Sequence, residues 1–166
     1  MTKLLLISDS HGDKAALRRV LDKESDADVL FFLGDGAADV DAVLPQLERR
    51  PPAYMVSGNC DHGSFYPPEG MVAFEGTSVF YTHGHLYGVG YAKTGLLKIG
   101  QLRGADIILF GPPHSPFSLE MPDFPRMYNP GSISRPRSAE GPTYGVLLLD
   151  RGQEPRFQLC SVPPKD

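Results

Sequence analysis

The chain of 166 residues is 41% hydrophobic and interrupts its apolar runs with 18 glycines and 16 prolines, enough for one domain with its own core. Sixteen Lys and Arg against twenty Asp and Glu give a formal charge of −4, which excludes the basic footprint that grips extended nucleic acid. The opening apolar run, Leu4-Leu5-Leu6-Ile7, turns polar at Ser8-Asp9-Ser10, too short for a secretory core or a membrane span, so a cytoplasmic protein is expected.

In chain order, five short runs rich in Val, Ile, Leu, Phe or Tyr stop abruptly at Gly, Asp, Asn or His. They are Lys3–Ser8, Val29–Leu33, Ala53–Ser57, Ser78–Thr82 and Ile107–Phe110, and their continuous apolar character predicts strands covered on both faces. Leu17, Val20 and Leu21 after the capping residue Asp13 predict a first helix. Val40, Val43, Leu44 and Leu47 after Asp39 predict a second, kinked or divided by Pro45. A third is expected over Tyr91–Arg103, weakened by Gly95 and Gly100. Past Gly111 the prolines mark loops, Ser115–Glu120 offers a short strand, and Asn129-Pro130-Gly131-Ser132 reads as a turn. Thr143–Leu149 and Arg156–Val162 predict a terminal hairpin around Asp150-Arg151-Gly152. No repeat or boundary divides residues 1–166, so the expectation is one α/β (α+β) domain whose mixed sheet becomes antiparallel and packs against another sheet, flanked by helices.

The chemistry gathers where these runs end. Open α/β sheets collect ligands at the carboxyl ends of their strands, because those ends share one rim. Asp9 and His11, Asp35, Asn59, His83 with His85, and His114 all fall there, and His62 follows Asn59 closely. Carboxylate, amide oxygen and imidazole without thiolate pairs suit divalent ions: Mn²⁺ first, with Ni²⁺, Fe²⁺ or Zn²⁺ as alternatives. Such a rim can hold one ion or two, about 3.5–4 Å apart, the arrangement that clamps both oxygens of a phosphoryl displacement. Cys60 and Cys160 lack metal-finger spacing and are expected as reduced thiols.

Asp9-Ser10-His11, Gly34-Asp35, Gly58-Asn59-Cys60-Asp61, Thr82-His83-Gly84-His85, Gly111-Pro112-Pro113-His114 and Asn129-Pro130-Gly131-Ser132 follow in the order of the calcineurin-like metallophosphoesterase motifs. Essentially the whole chain resembles that superfamily, and within it the small YfcE-type phosphodiesterases. The resemblance implies a four-layer αββα sandwich of two mixed sheets. It also implies one metal on Asp9, His11, Asp35 and His114, and a second that shares Asp35 and uses Asn59 and His83. The family's further histidine for the second site is replaced by Pro112, which offers no donor. A strong first site and a weak second one, supported by water, His85 or His62, is therefore expected. The implied reaction is hydrolysis of a small phosphodiester by attack of metal-bound hydroxide.

Several residues carry two readings. His85 would orient substrate or move a proton, or else brace the His83 loop. Asp61 stands as a catalytic candidate and, more simply, as an anchor of the site. Where many relatives place a proton-donating histidine, this chain has Cys60, a poor acid for an alkoxide, so good leaving groups are expected. Gly34, Gly58 and Gly111 read as tight turns beside the ions. Arg135 and Arg137 offer planar forks for phosphate or are solvated surface. Tyr81, Tyr87 and Tyr91 offer stacking or packing. The expected partner is a small phosphate ester, with neither extended nucleic acid nor membrane, and a homo-oligomer is compatible with the pattern. The competing function is a non-catalytic or weakly active scaffold for protein interaction, since the retromer subunit with this fold resembles the family and serves mainly that role.

Overall fold

In the computed structural model, residues 1–87, 93–136 and 139–165 are described. The chain begins with β1 (Thr2–Ile7), α1 (Lys14–Lys23) and β2 (Val29–Phe32). Asp13 caps α1 by accepting from Ala16 N at 3.0 Å, and the helix buries Ala16, Leu17, Val20 and Leu21, the apolar stripe its spacing predicts. Next come α2 (Ala37–Val43), a 3-10 turn at Leu44–Gln46, and β3 (Ala53–Met55). Pro45 has no N–H for an α-helical bond, and the second helix is divided there. One correction concerns its start: α2 is capped by Gly36, and Asp39 lies within the first turn.

Two strands escape the sequence pattern. The first, β4 (Glu69–Phe74), forms a hairpin with β5 (Thr77–Thr82), pairing Phe74 directly with Thr77. Glu75 and Gly76 between them have φ of 51° and 76°, the left-handed pair that a two-residue hairpin turn requires. After α3 (Thr94–Leu102) and β6 (Ile107–Leu109) come β7 (Phe117–Leu119) and the second unforeseen strand, β8 (Arg126–Asn129). Asn129, expected in a turn, therefore ends a strand. Of the predicted third helix, residues 91 and 92 lie outside the described residues. The last pair, β9 (Thr143–Leu149) and β10 (Arg156–Ser161), forms the expected antiparallel hairpin.

These strands make two five-stranded mixed sheets, in the orders β10-β9-β1-β2-β3 and β4-β5-β6-β8-β7. Alternation along each strand sorts the side chains into layers. Leu4 and Leu6 of β1 and Phe31 of β2 meet Val79, Tyr81, Ile107 and Leu109 between the sheets. Leu5, Ile7, Leu30 and Phe32 face α1 and α2. Phe80, Ile108 and Met127 face α3 through Leu96. The result is the αββα sandwich, and every run that reads as continuously apolar is wedged between two layers. Because β1 and β2 are parallel, as are β5 and β6, the loops after them emerge on one rim. Among the described residues no helix is long and apolar enough to cross a membrane.

Candidate metal centre

Four side chains from three loops converge at this rim. Ligand atoms of Asp9, His11, Asp35 and His114 all lie within 4.8 Å of one another. Asp9 Oδ1 is 3.1 Å from His114 Nε2 and 3.5 Å from His11 Nε2, while Asp35 Oδ2 is 3.9 Å from His11 Nε2. His83 joins from the β5 end, with Nε2 3.3 Å from the same Asp35 oxygen. Its Nδ1 lies 2.6 Å from Leu33 C=O, a contact that places a proton on Nδ1 and turns Nε2 toward Asp35.

The backbone is strained where these candidate ligands leave the sheets. Asp9, His11, Asp35 and His114 all have positive φ, from 42° to 74°, a region that side-chain-bearing residues seldom enter. Surrounding bonds hold them there. Ser8 Oγ donates to Asp9 Oδ2 at 2.6 Å, and Ser132 and Ser134 donate their hydroxyls to Asp9 C=O at 2.9 and 2.8 Å. Asn129 Nδ2 donates to Gly111 C=O at 2.8 Å and Pro112 C=O at 2.9 Å, tying the His114 loop to the end of β8. Two glycines permit the close approach: an added Cβ at Gly58 would sit 2.1 Å from Asp35 Oδ1, and one at Gly111 2.5 Å from Ser8 Oγ.

Asp61, which the sequence offers as either catalyst or anchor, has both oxygens occupied. Oδ2 accepts from Asp35 N at 2.7 Å and Gly58 N at 2.8 Å, and Oδ1 from Gly36 N at 2.8 Å and Ala37 N at 3.1 Å. It ties residues 35–37 to the Gly58 loop and has no oxygen directed at a reacting group. Asn59 is exposed at the rim with Nδ2 3.7 Å from Cys60 Sγ, and its loop is fixed over the site by Cys60 N donating to Asp35 Oδ1 at 2.8 Å. His85 is exposed with its ring 5.2 Å from that of His83, and His62 is exposed on a neighbouring cavity. Tyr81 packs between the sheets, the Tyr87 hydroxyl bonds Glu69, Arg135 is exposed, and Arg137 and Tyr91 lie outside the described residues.

Asp39 was missed as part of the site. Its carboxylate is buried and accepts from Ser10 Oγ at 2.5 Å and Gly12 N at 2.8 Å, bracing the Asp9 loop. The signal was present: Asp39 and Val43 are one turn apart, so helical phase turns this acid toward the apolar side.

Burial pushes the Asp9 carboxyl up, but the His11 and His114 imidazoles beside it and the field of His83 outweigh burial and hold it below the usual range. Asp35 is likewise lowered: burial opposes, while His83 and the Cys60 N–H prevail. Burial would lower His83, but Asp35 and Asp9 raise it overall. Asp9 Oδ1 and His11 Nε2 nevertheless remain buried without a hydrogen-bond partner. Two such atoms facing one another are costly unless a cation lies between them, so this donor set fits a divalent ion.

The Calcineurin-like phosphoesterase superfamily domain matches residues 2–152. YsnB of Bacillus subtilis (strain 168), a probable metallophosphoesterase, is 32% identical over 148 residues, covering 89% of this chain and 84% of that protein. The phosphodiesterase YfcE of Escherichia coli (strain K12) is 30% identical over 172 residues, covering 90% and 89%. The solved structure of a predicted phosphoesterase from Streptococcus pneumoniae TIGR4 superposes with a TM-score of 0.80 at 25% identity, over 98% of this chain and 93% of that one. Vacuolar Protein Sorting 29 from Cryptosporidium parvum shares the fold alone, with a TM-score of 0.74 at 17% identity, over 96% of each chain. The chain therefore belongs to the calcineurin-like phosphoesterase superfamily, as its ordered loop motifs imply.

Proposed function

We propose that this chain is a metal-dependent phosphodiesterase acting on a small phosphodiester in the cytoplasm, with Mn²⁺ the first choice among Mn²⁺, Ni²⁺, Fe²⁺ and Zn²⁺. The observation that carries the proposal is the buried, unpartnered pair Asp9 Oδ1 and His11 Nε2 within a group completed by Asp35 and His114. Those four residues would hold the first ion. Asp35, Asn59 and His83 would hold a second, more weakly, because Pro112 brings no donor. Bound divalent ions supply charge for the phosphoryl oxygens and lower the pKa of water enough to provide a nucleophile near neutral pH.

The chain's own residues set the rest. His83 is held by Leu33 C=O at Nδ1, so Nε2 is the nitrogen turned to Asp35 and the one that would bind an ion after losing its proton. Asp61 keeps the Asp35 and Gly58 loops in register without touching substrate. His85 lies at the open side of His83, where burial first and then the nearby His83 lower its pKa, so at neutral pH it is an uncharged group suited to orienting substrate. Burial, then Asp35, raises the Cys60 thiol, which stays protonated and donates poorly to an alkoxide. Esters whose alcohol leaves readily are favoured.

The test is hydrolysis of a phosphodiester and the matching monoester by metal-free protein refilled with each ion. Diester turnover with Mn²⁺ that falls at least a hundredfold in His114→Ala supports the proposal. Absence of turnover with every ion would instead favour an interaction scaffold, the reading to which Pro112 and the fold shared with Vacuolar Protein Sorting 29 lend weight.

A further inference from the structure

Beside the metal ligands lies a cavity of about 560 Å³, lined by Ala37, Ala38, Asp41 and the run from Cys60 to Tyr66. That volume is in the range of small-molecule pockets. Cys60 connects it to the site: its N–H bonds Asp35 Oδ1, while its residue lines the cavity. Two aromatic residues stand on the cavity. Phe65 is fully exposed, at 103% of its reference area, although nothing in the core requires a phenyl ring there. Tyr66 is half-buried, with its hydroxyl fixed to Asp41 Oδ1 at 2.5 Å.

Charge narrows the occupant. Among the described residues no Lys or Arg lines the cavity. Asp41 is engaged by Tyr66, and the Asp61 oxygens are taken by backbone N–H groups. A second phosphate would meet Asp41 and Asp61 with the His62 imidazole alone to offset them, whereas a flat, uncharged ring would meet the alanine methyls and the Phe65 and Tyr66 side chains. We infer that this cavity receives the leaving group of the phosphodiester, that the group is an uncharged aromatic alcohol, and that Phe65 is its specificity-determining residue. The inference deepens the proposed function and rests on it. It excludes nucleoside polyphosphates as preferred substrates.

The test uses two methyl phosphodiesters whose leaving alcohols have matched acidity, one a phenol and one a fluorinated alkyl alcohol, with Mn²⁺-loaded protein. Phe65→Ala, a surface truncation, should lower the aryl-over-alkyl ratio of kcat/KM about fivefold, the size of an aromatic pair contact. An unchanged ratio would overturn the pocket assignment. A second measurement needs no turnover: neutral p-nitrophenol, titrated at pH 5.5, should shift the Phe65 and Tyr66 ring resonances and bind Phe65→Ala at least threefold more weakly. Such binding without hydrolysis of any diester would retain the pocket and sink the phosphodiesterase reading. The absence of ring shifts would overturn the pocket.

Discussion

Ser10 Oγ and Asp39 Oδ2 meet at 2.5 Å in a buried hydrogen bond that joins the Asp9-Ser10-His11 loop to the first turn of α2. Neither residue belongs to the metal-ligand group, yet the contact fixes the segment that carries two of its members. Asp39→Ala should therefore raise the Mn²⁺ dissociation constant about tenfold or more, the usual effect of losing support behind a ligand. Calorimetric titration checks this, and an unchanged constant would show that the loop holds its shape alone.

Asp61→Asn would point an amide N–H₂ at backbone donors that now share a carboxylate oxygen. A loss of about 2–3 kcal/mol in unfolding free energy is expected from the unsatisfied buried donors. Urea denaturation of metal-free protein measures it, because the cost belongs to the fold and not to metal binding. A loss in metal affinity should follow, since Asp35 N is one of the donors.

Pro112→His would restore a donor in the loop that Asn129 already holds. Two retained equivalents of Mn²⁺ per chain, and a higher kcat for the diester, are the expected results by metal analysis and steady-state kinetics. If the variant keeps the wild-type stoichiometry and rate, the substitution at this position does not explain a weak second site.

The pH response of metal-free protein separates by sign. Asp9 and Asp35 have lowered folded values, so their stabilisation is present above the ordinary carboxylate value of 3.8 and is lost as pH falls through the lower folded values. His83 is raised above 6.5, so its stabilisation is present below 6.5 and is lost as pH rises through its raised value. A metal ion bound by His83, as proposed, would need Nε2 unprotonated, so its stabilisation would run the other way. Thermal unfolding with and without Mn²⁺ should show a Tm gap that widens from pH 5.5 to 8. A gap independent of pH would remove His83 from the ligand set.

Legibility followed the range of the interactions. The continuous apolar strands, the helix capped by Asp13 and the break at Pro45 are local matters of burial, capping and a missing N–H, and each reads directly from neighbouring residues. Strand β4 was harder because it is an edge strand with exposed Met71, so its pattern carries little of the core's hydrophobicity. Its Glu75-Gly76 turn was the better signal. Strand β8 was hidden by Arg126 at its start and by the proline after Asn129, which together resemble a loop.

The sequence by itself determined which side chains reach the rim, because a strand that ends in Asp, Asn or His must present that residue where the sheet stops. It also determined the family, through the order of those loops. Only the tertiary structure decided how the residues share their work. Asp39 and Asp61, both acids near the motifs, became braces because backbone and hydroxyl donors occupy Asp39 Oδ2 and both Asp61 oxygens, while Asp9 Oδ1 is buried beside His11 and His114 without a hydrogen bond. Hydrogen-bond satisfaction is a property of neighbours in space, and two carboxylates of identical chemistry are divided into support and candidate ligand by what surrounds each.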